Sequence, residues 1–145
     1  MTKESHGMDE LTGDRKIQAN APEKPRDIYE RSFEFACRIV KLYQYMSTTK
    51  APRTLAAQLL RSGTSLGANL EEAHAAQSRA DFISKCRIAL KEARESHYWL
   101  RLFAATGIVA SRRIAEILQE SNELVAILTS IVRTTSQRKN AQSSV

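Results

Sequence analysis

The sequence predicts an all-α protein, an antiparallel up-down-up-down four-helix bundle with disordered termini. Apolar residues recur with the helical period in four long segments, and short polar stretches separate these segments. The 145 residues fit one domain, and the chain contains only 5 glycines and 3 prolines, the residues that most often interrupt helices. We therefore predict a bundle over residues 27–136, a disordered tail over 1–26 and a flexible tail over 137–145.

The first helix is predicted over about residues 27–46. Asp27 can accept hydrogen bonds from the free N–H groups of the first turn. Arg31 is expected on the solvent side, opposite the apolar face. That face consists of Ile28, Ser32, Ala36, Ile39, Tyr43 and Met46.

The second helix is predicted over about residues 52–77. Pro52 suits its first turn, because the N–H group that proline lacks would have no partner there. Its apolar stripe consists of Leu55, Leu59, Leu66, Leu70 and Ala73.

The third and fourth helices are predicted over about residues 81–106 and 111–135. Ser78 or Asp81 can cap the third helix, and Gly107 can end it in the left-handed conformation. The two apolar faces include Phe82, Cys86, Ala89, Ala93, Leu100 and Ala104 on the third helix and Ile114, Ile117, Leu124 and Leu128 on the fourth. The acidic residues Glu116, Glu120 and Glu123 are expected on the side of the fourth helix opposite its apolar stripe.

The net charge of +6 lies entirely in residues 27–145, because residues 1–26 contain five basic and five acidic side chains. A basic folded part attracts polyanions such as nucleic acid. The first residues lack the apolar core of a signal peptide, and the longest uncharged apolar run is too short to span a bilayer. With only two cysteines and no disulfide framework, the expected location is the cytoplasm, without a membrane partner.

The segment "LRSGTSLGANLEEAH" raises the question of a phosphate-binding loop. A P-loop needs a preceding strand and a lysine after its second glycine, and neither is present. Gly63 and Gly67 instead lie on one flank of the second helix, where missing side chains allow another helix to come close. The sequence leaves open whether that helix belongs to the same subunit.

The same segment contains Glu71 and His74, an E-x-x-H pair found in di-iron bundles. A di-iron site needs a second such pair and two further inward glutamates, which this sequence does not offer. Cys86 lies among apolar residues that make a thiol inert, and Cys37 has no predicted histidine partner. We therefore predict no catalytic residues, no metal, no cofactor and no small-molecule substrate.

A linear basic stripe is predicted on the third helix. Its members project within a narrow arc, with Tyr98 beside them, and such a face can contact phosphates. They are Arg87, Lys91, Arg94 and Arg101. The alternative is a solvated face that Glu92 and Glu95 neutralise, for example through a Lys91–Glu95 pair.

Polar residues also flank the leucine stripe of the second helix. Ser62, Ser65, Asn69 and Glu72 should be partly buried there, and buried polar groups need partners. A hydrogen-bonded network to a neighbouring helix is therefore predicted.

"RSGTSLGANLEEA" and "DFISKCRIALKEARESHYWLRL" together resemble the bacterial four-helix-bundle family of 23S rRNA intervening-sequence proteins. The resemblance covers about residues 28–135. It assigns Ser65, Asn69 and Glu72 to a recurring polar set and adds Glu95 on the third helix. Because the family is similar to the pentameric accessory protein of diversity-generating retroelements, the resemblance implies a homopentamer without enzymatic activity.

Two functions remain open from the sequence. The first is an oligomeric protein that binds RNA or DNA through phosphate contacts. The second is a protein-interaction or scaffold module, in which Tyr98, Trp99 and Leu102 contact another subunit or a partner protein.

Overall fold

The computed structural model describes residues 27–144, and these form four α-helices in antiparallel sequence. The helices are α1 (Ile28–Met46), α2 (Arg53–His74), α3 (Arg79–Thr106) and α4 (Ser111–Gln142). Each helix packs against the next, and α1 also meets α4, so α1 and α3 occupy diagonal positions. The predicted all-α four-helix fold is confirmed.

The helix ends follow the predicted capping residues. The side chain of Asp27 accepts a hydrogen bond from the N–H of Glu30 at 2.8 Å, and Ser78 accepts one from Asp81 at 3.1 Å. Gly107 ends α3 with φ 71° and ψ 12°, the left-handed conformation that glycine adopts without a steric penalty. Because Ser78 is the cap, α3 begins two positions before the predicted start.

The core is a single cluster to which all four helices contribute large apolar side chains. Its fully buried members include Phe35, Ile39, Leu59, Leu66, Leu70, Leu100, Phe103, Ile114, Leu124 and Leu128. On α3 the prediction placed Phe82 in the core, but Ile83 is buried and Phe82 is only partly so. Because α3 contacts both α2 and α4, its buried arc is wider than one stripe.

The glycine flank of α2 packs against α1 of the same chain. A Cβ atom placed on Gly63 would lie 2.8 Å from two side-chain carbons of Ile39, closer than carbon atoms pack. A Cβ on Gly67 would lie 3.5 Å from the carbonyl oxygen of Ser32, an ordinary contact. The close approach that the sequence left open is therefore within the subunit.

The fourth helix runs beyond its predicted end at about residue 135. It continues to Gln142, so the segment predicted as a C-terminal tail begins as helix. No glycine or proline interrupts residues 136–142. Two arginines of α3 also reach this part of α4: Arg79 donates to the carbonyl of Thr135 at 3.5 Å, and Arg87 to Ser136 Oγ at 3.1 Å. The predicted N-terminal tail, 1–26, lies outside the described residues.

Candidate nucleic-acid interface

The four basic side chains of the predicted stripe are all exposed on α3. One turn of helix rises about 5.4 Å, so residues spaced three, four and seven apart form a line along the helix. Tyr98 lies within this line and is 53% exposed. We call the four basic residues, Arg87, Lys91, Arg94 and Arg101, the α3 stripe.

The carboxylates that could neutralise the α3 stripe are turned toward α2. Arg61 Nη1 lies 3.2 Å from Glu92 Oε2, and Arg61 Nη2 bonds Glu95 Oε1. The Arg61 hydrogen bond lowers the pKa of Glu95, and the charge of Lys91 contributes less to that shift. Trp99 Nε1 donates a further bond to Glu95 at 3.3 Å.

Within residues 27–144, no ion pair joins a cation of the α3 stripe to a carboxylate. Arg87 alone has a side-chain partner among the described hydrogen bonds, the neutral hydroxyl of Ser136. The stripe therefore presents positive charge that this part of the chain does not neutralise by direct pairing.

The four residues of the predicted polar set occupy three separate clusters. Asn69 donates to the carbonyl and hydroxyl of Ser65 at 2.8 and 3.2 Å, within α2. Glu72 is exposed and pairs with Lys85 of α3, while Glu95 pairs with Arg61. Glu72 and Glu95 thus tie α2 to α3 by separate ion pairs. The expectation that Glu72 would be partly buried is wrong, since 59% of its side chain is exposed in the pair with Lys85.

A buried hydroxyl pair joins Ser62, for which the sequence predicts a bond to a neighbouring helix, to Ser96 of α3, which the sequence analysis did not name. Ser96 Oγ donates to Ser62 Oγ at 2.9 Å and lies 2.9 Å from the carbonyl of Glu92. Both serines are fully buried. Their helical positions on the facing sides of α2 and α3 were the available signal, because a small hydroxyl inside an apolar stripe needs a partner.

Each of the two histidines of the bundle contacts a side chain of another helix. His97 Nδ1 lies 2.9 Å from the hydroxyl of Ser121 on α4, and burial lowers the pKa of His97. The ring of His74 lies 4.4 Å from that of Tyr29, at the surface end of α2. His97 is therefore a half-buried, hydrogen-bonded residue at the edge of the core.

The E-x-x-H pair lies at the surface, since Glu71 and His74 are both exposed. Across residues 27–144, no three histidine, cysteine or acidic side chains come together in a group that could hold a metal ion. Burial raises the pKa of the Cys86 thiol, which favours the unreactive protonated form. Cys37 is exposed on α1.

An ion-pair cluster lies between α1 and α4. The sequence analysis predicted its residues on the solvent side of their helices, opposite the apolar faces. Arg31 bonds Glu120 with two parallel bonds of 2.9 Å and reaches Glu123 at 2.6 Å. The side chains of Arg31 and Glu120 are only 19% and 15% exposed. The prediction for these two residues is wrong because helical periodicity locates a face but not the neighbouring helix that covers its edge.

The aromatic residues proposed for partner contacts differ in exposure. Tyr98 is exposed, whereas Trp99 and Leu102 are half-buried. The two rings lie 5.1 Å apart in an edge-on arrangement. No helix of the described part of the chain is long and apolar enough to cross a membrane.

These features define the class of protein, an all-α, antiparallel four-helix bundle with an exposed basic face. The chain belongs to the 23S rRNA-intervening sequence protein family, whose sequence model matches residues 24–130. The predicted family is therefore confirmed.

The chain is similar to a protein of unknown function from the S23 ribosomal protein family of Bacteroides thetaiotaomicron, whose crystal structure was solved at 1.70 Å. The sequences are 45% identical, and the TM-score is 0.70. The comparison covers 73% of this chain and 98% of the other. No curated protein matches the chain.

Proposed function

We propose that the protein is a non-enzymatic, oligomeric protein that binds RNA or DNA through phosphate contacts on the α3 stripe. The observation that carries the proposal is the direction of Glu92 and Glu95. Both carboxylates pair with Arg61 on α2 and leave the exposed cations of α3 without an acidic partner among the described residues. Unpaired, aligned cations are the electrostatic footprint of a phosphate-binding surface.

The charge balance of the whole chain supports the same ligand. The net charge is +6, and residues 1–26 contribute none of it. A homopentamer, as the family resemblance implies, would bring about +30 together in one assembly. Such an assembly would bind polyanions strongly at low salt, and a cytoplasmic location, which the sequence predicts, would give it access to RNA and DNA.

Charge reversal on the α3 stripe tests the proposal. The variant Arg87→Glu/Lys91→Glu/Arg94→Glu should lose at least about tenfold in affinity for labelled RNA and duplex DNA at low salt. The loss should be similar for different sequences, because phosphate contacts do not read bases. Fluorescence anisotropy at two salt concentrations provides the measurement.

The matched control reverses exposed arginines elsewhere, in the variant Arg133→Glu/Arg138→Glu on α4. The control should retain most of the affinity. Equal losses per reversed charge in both variants would show that net charge, and not the α3 stripe, determines binding.

The second candidate is a protein-interaction or scaffold module, which the exposed Tyr98 beside Trp99 favours. Light scattering distinguishes a contact between subunits from a contact with another partner, because it measures the mass of the assembly. A homopentamer should have a mass of about 82 kDa, five times the 16.3 kDa of one chain. If Tyr98 lies between subunits, Tyr98→Ala should reduce that mass. An unchanged mass with a lower affinity for RNA or DNA would instead favour contact between Tyr98 and a nucleic acid base.

A further inference from the structure

Two stretches of the chain without acidic residues meet at one end of the bundle. Residues 35–70 and 96–115 contain no aspartate or glutamate. Together they hold eight basic residues, Arg38, Lys41, Lys50, Arg53, Arg61, Arg101, Arg112 and Arg113. Of these, Arg61 is already paired across to α3.

Each stretch contains one helix–helix connection, and the fold places the two connections side by side. A cavity of about 320 Å³ is lined by Lys50 and its neighbours in the α1–α2 connection and by Gly107 and its neighbours in the α3–α4 connection. Lys50 and Arg53 of the first stretch and Arg112 and Arg113 of the second lie in or next to these connections. We call this end of the bundle the loop end.

Between α1 and α4 near the loop end lies a smaller cavity of about 220 Å³. Its lining combines three cations with apolar and aromatic side chains: Arg38, Lys41, Leu42, Tyr45, Arg113 and Ile117. We call it the α1–α4 pocket. Its size suits a single small group rather than a large ligand.

Two cations of the α1–α4 pocket, Arg113 and Arg38, have described contacts, and neither contact neutralises its charge strongly. The guanidinium of Arg113 lies 3.9 Å from the centre of the Tyr45 ring, a cation–π contact that orients it without an anion. Glu116 is the carboxylate paired with Arg38, at 3.8 Å. The Glu116 side chain is 94% exposed, so water screens this pair and it contributes little.

We propose that the α1–α4 pocket binds a phosphate group of a nucleic acid strand, with Arg113 and Lys41 as its main contacts. A planar guanidinium fixed on an aromatic ring keeps its N–H edge free for phosphate oxygens, and the flexible lysine adds a point charge. This inference rests on the proposed function for the class of ligand. It assigns a second surface, because α1 is diagonal to α3 in the bundle and the pocket does not share residues with the α3 stripe.

The test compares two variants that each remove two positive charges. Lys41→Gln/Arg113→Gln removes the pocket cations, and Arg133→Gln/Arg138→Gln removes exposed cations at the other end of α4. The probe is a labelled single-stranded RNA, measured by anisotropy over a range of salt. The pocket variant should bind at least about tenfold more weakly at low salt, and its slope of log K against log salt should fall by about 0.7 per lost contact.

The control variant should change affinity by less than about threefold. Equal losses of affinity in the pocket and control variants would contradict phosphate binding in the α1–α4 pocket. If the α3 stripe variant loses binding while the pocket variant matches its control, this inference fails and the proposed function stands. If the unmodified protein does not bind RNA or DNA at low salt, both fail.

Folding of the variants is checked separately, because Arg113 contacts Tyr45. Lys41→Gln alone alters an exposed side chain and should retain the thermal unfolding midpoint of the unmodified protein. Its affinity for the RNA should still fall, and its slope of log K against log salt should fall by about 0.7, the value for one lost contact. An unchanged affinity and slope for Lys41→Gln would contradict its role in the pocket.

Discussion

At the scale of single residues, Gly63 and Gly67 have different roles although they share one flank of α2. Ile39 is fully buried beneath Gly63, so it has no room to move away from an added methyl group. The backbone beside Gly67 leaves that room. Only one of the two glycines is therefore required for the approach of α1 to α2.

Replacement of each glycine by alanine should shift stability in opposite directions. Gly63→Ala should destabilise the protein, because overpacking costs about 1–3 kcal/mol and outweighs the gain in helix propensity. Gly67→Ala should stabilise it by up to about 1 kcal/mol. Chemical denaturation measures both free energies of unfolding, and stabilisation by Gly63→Ala would contradict the close contact with Ile39.

The Arg61–Glu95 pair gives the protein a predicted acid sensitivity. The pKa of Glu95 is lowered in the folded state by its hydrogen bond from Arg61, so the unfolded state binds a proton at higher pH than the folded state. This stabilisation is present above the ordinary glutamate pKa of about 4.3 and is lost as pH falls through the lower folded value.

Arg61→Gln should therefore reduce the difference in stability between pH 6 and pH 3. Because Glu95 is partly exposed, the effect should be modest. Denaturation at several pH values measures it, and Glu116→Gln, at an exposed carboxylate, is the control. An identical pH dependence for Arg61→Gln and the unmodified protein would contradict this role of the pair.

At the scale of elements, the α1–α4 seam differs from the other helix contacts. Ion pairs also join α2 to α3, but there Arg61 is 49% exposed, whereas the side chains of Arg31 and Glu120 between α1 and α4 are both largely buried. The two parallel bonds between Arg31 and Glu120 fix the relative position of the helices more closely than a point charge would. The ion-pair cluster is thus a fixed element of the seam.

Removal of Arg31 should weaken that seam. Arg31→Ala leaves the partly buried carboxylate of Glu120 without its partner and should cost about 1–3 kcal/mol. Arg38→Ala, which breaks the exposed pair with Glu116, should stay within about 0.5 kcal/mol of the unmodified protein. Equal effects of the two substitutions in thermal unfolding would show that the Arg31 cluster is no more than a surface pair.

The order of the helices and most of their caps could be predicted from the sequence, because these depend on local pattern. Asp27, Ser78 and Gly107 are examples, since each acts on the turn beside it. The end of α4 could not be placed, because residues 136–142 lack both a stop signal and strong apolar periodicity.

The candidate site was predictable in part for the same reason. The exposure of the α3 stripe follows from helical spacing on one element. The pairing of Arg61 with Glu92 and Glu95, the Arg31 cluster and the α1–α4 pocket each join side chains from two helices. Such pairings depend on helix rotation and relative height, which one-dimensional periodicity does not determine.

At the scale of the whole molecule, charge is distributed unevenly over a regular fold. Arg31, Arg61 and Lys85 form ion pairs with glutamates of neighbouring helices. The α3 stripe and the loop end keep cations that no described carboxylate pairs closely, apart from the weak Arg38–Glu116 contact. The family match establishes what kind of bundle this is, and this charge distribution supports the proposed ligand.

The most direct measurement of the central claim is the affinity of the unmodified protein for RNA and duplex DNA as a function of salt. We expect binding at low salt and a linear fall of log K with log salt, with a slope of about −0.9 for each phosphate contact on duplex DNA and about −0.7 on single strands. Absence of binding at low salt, or an affinity that salt does not change, would contradict phosphate recognition by this bundle.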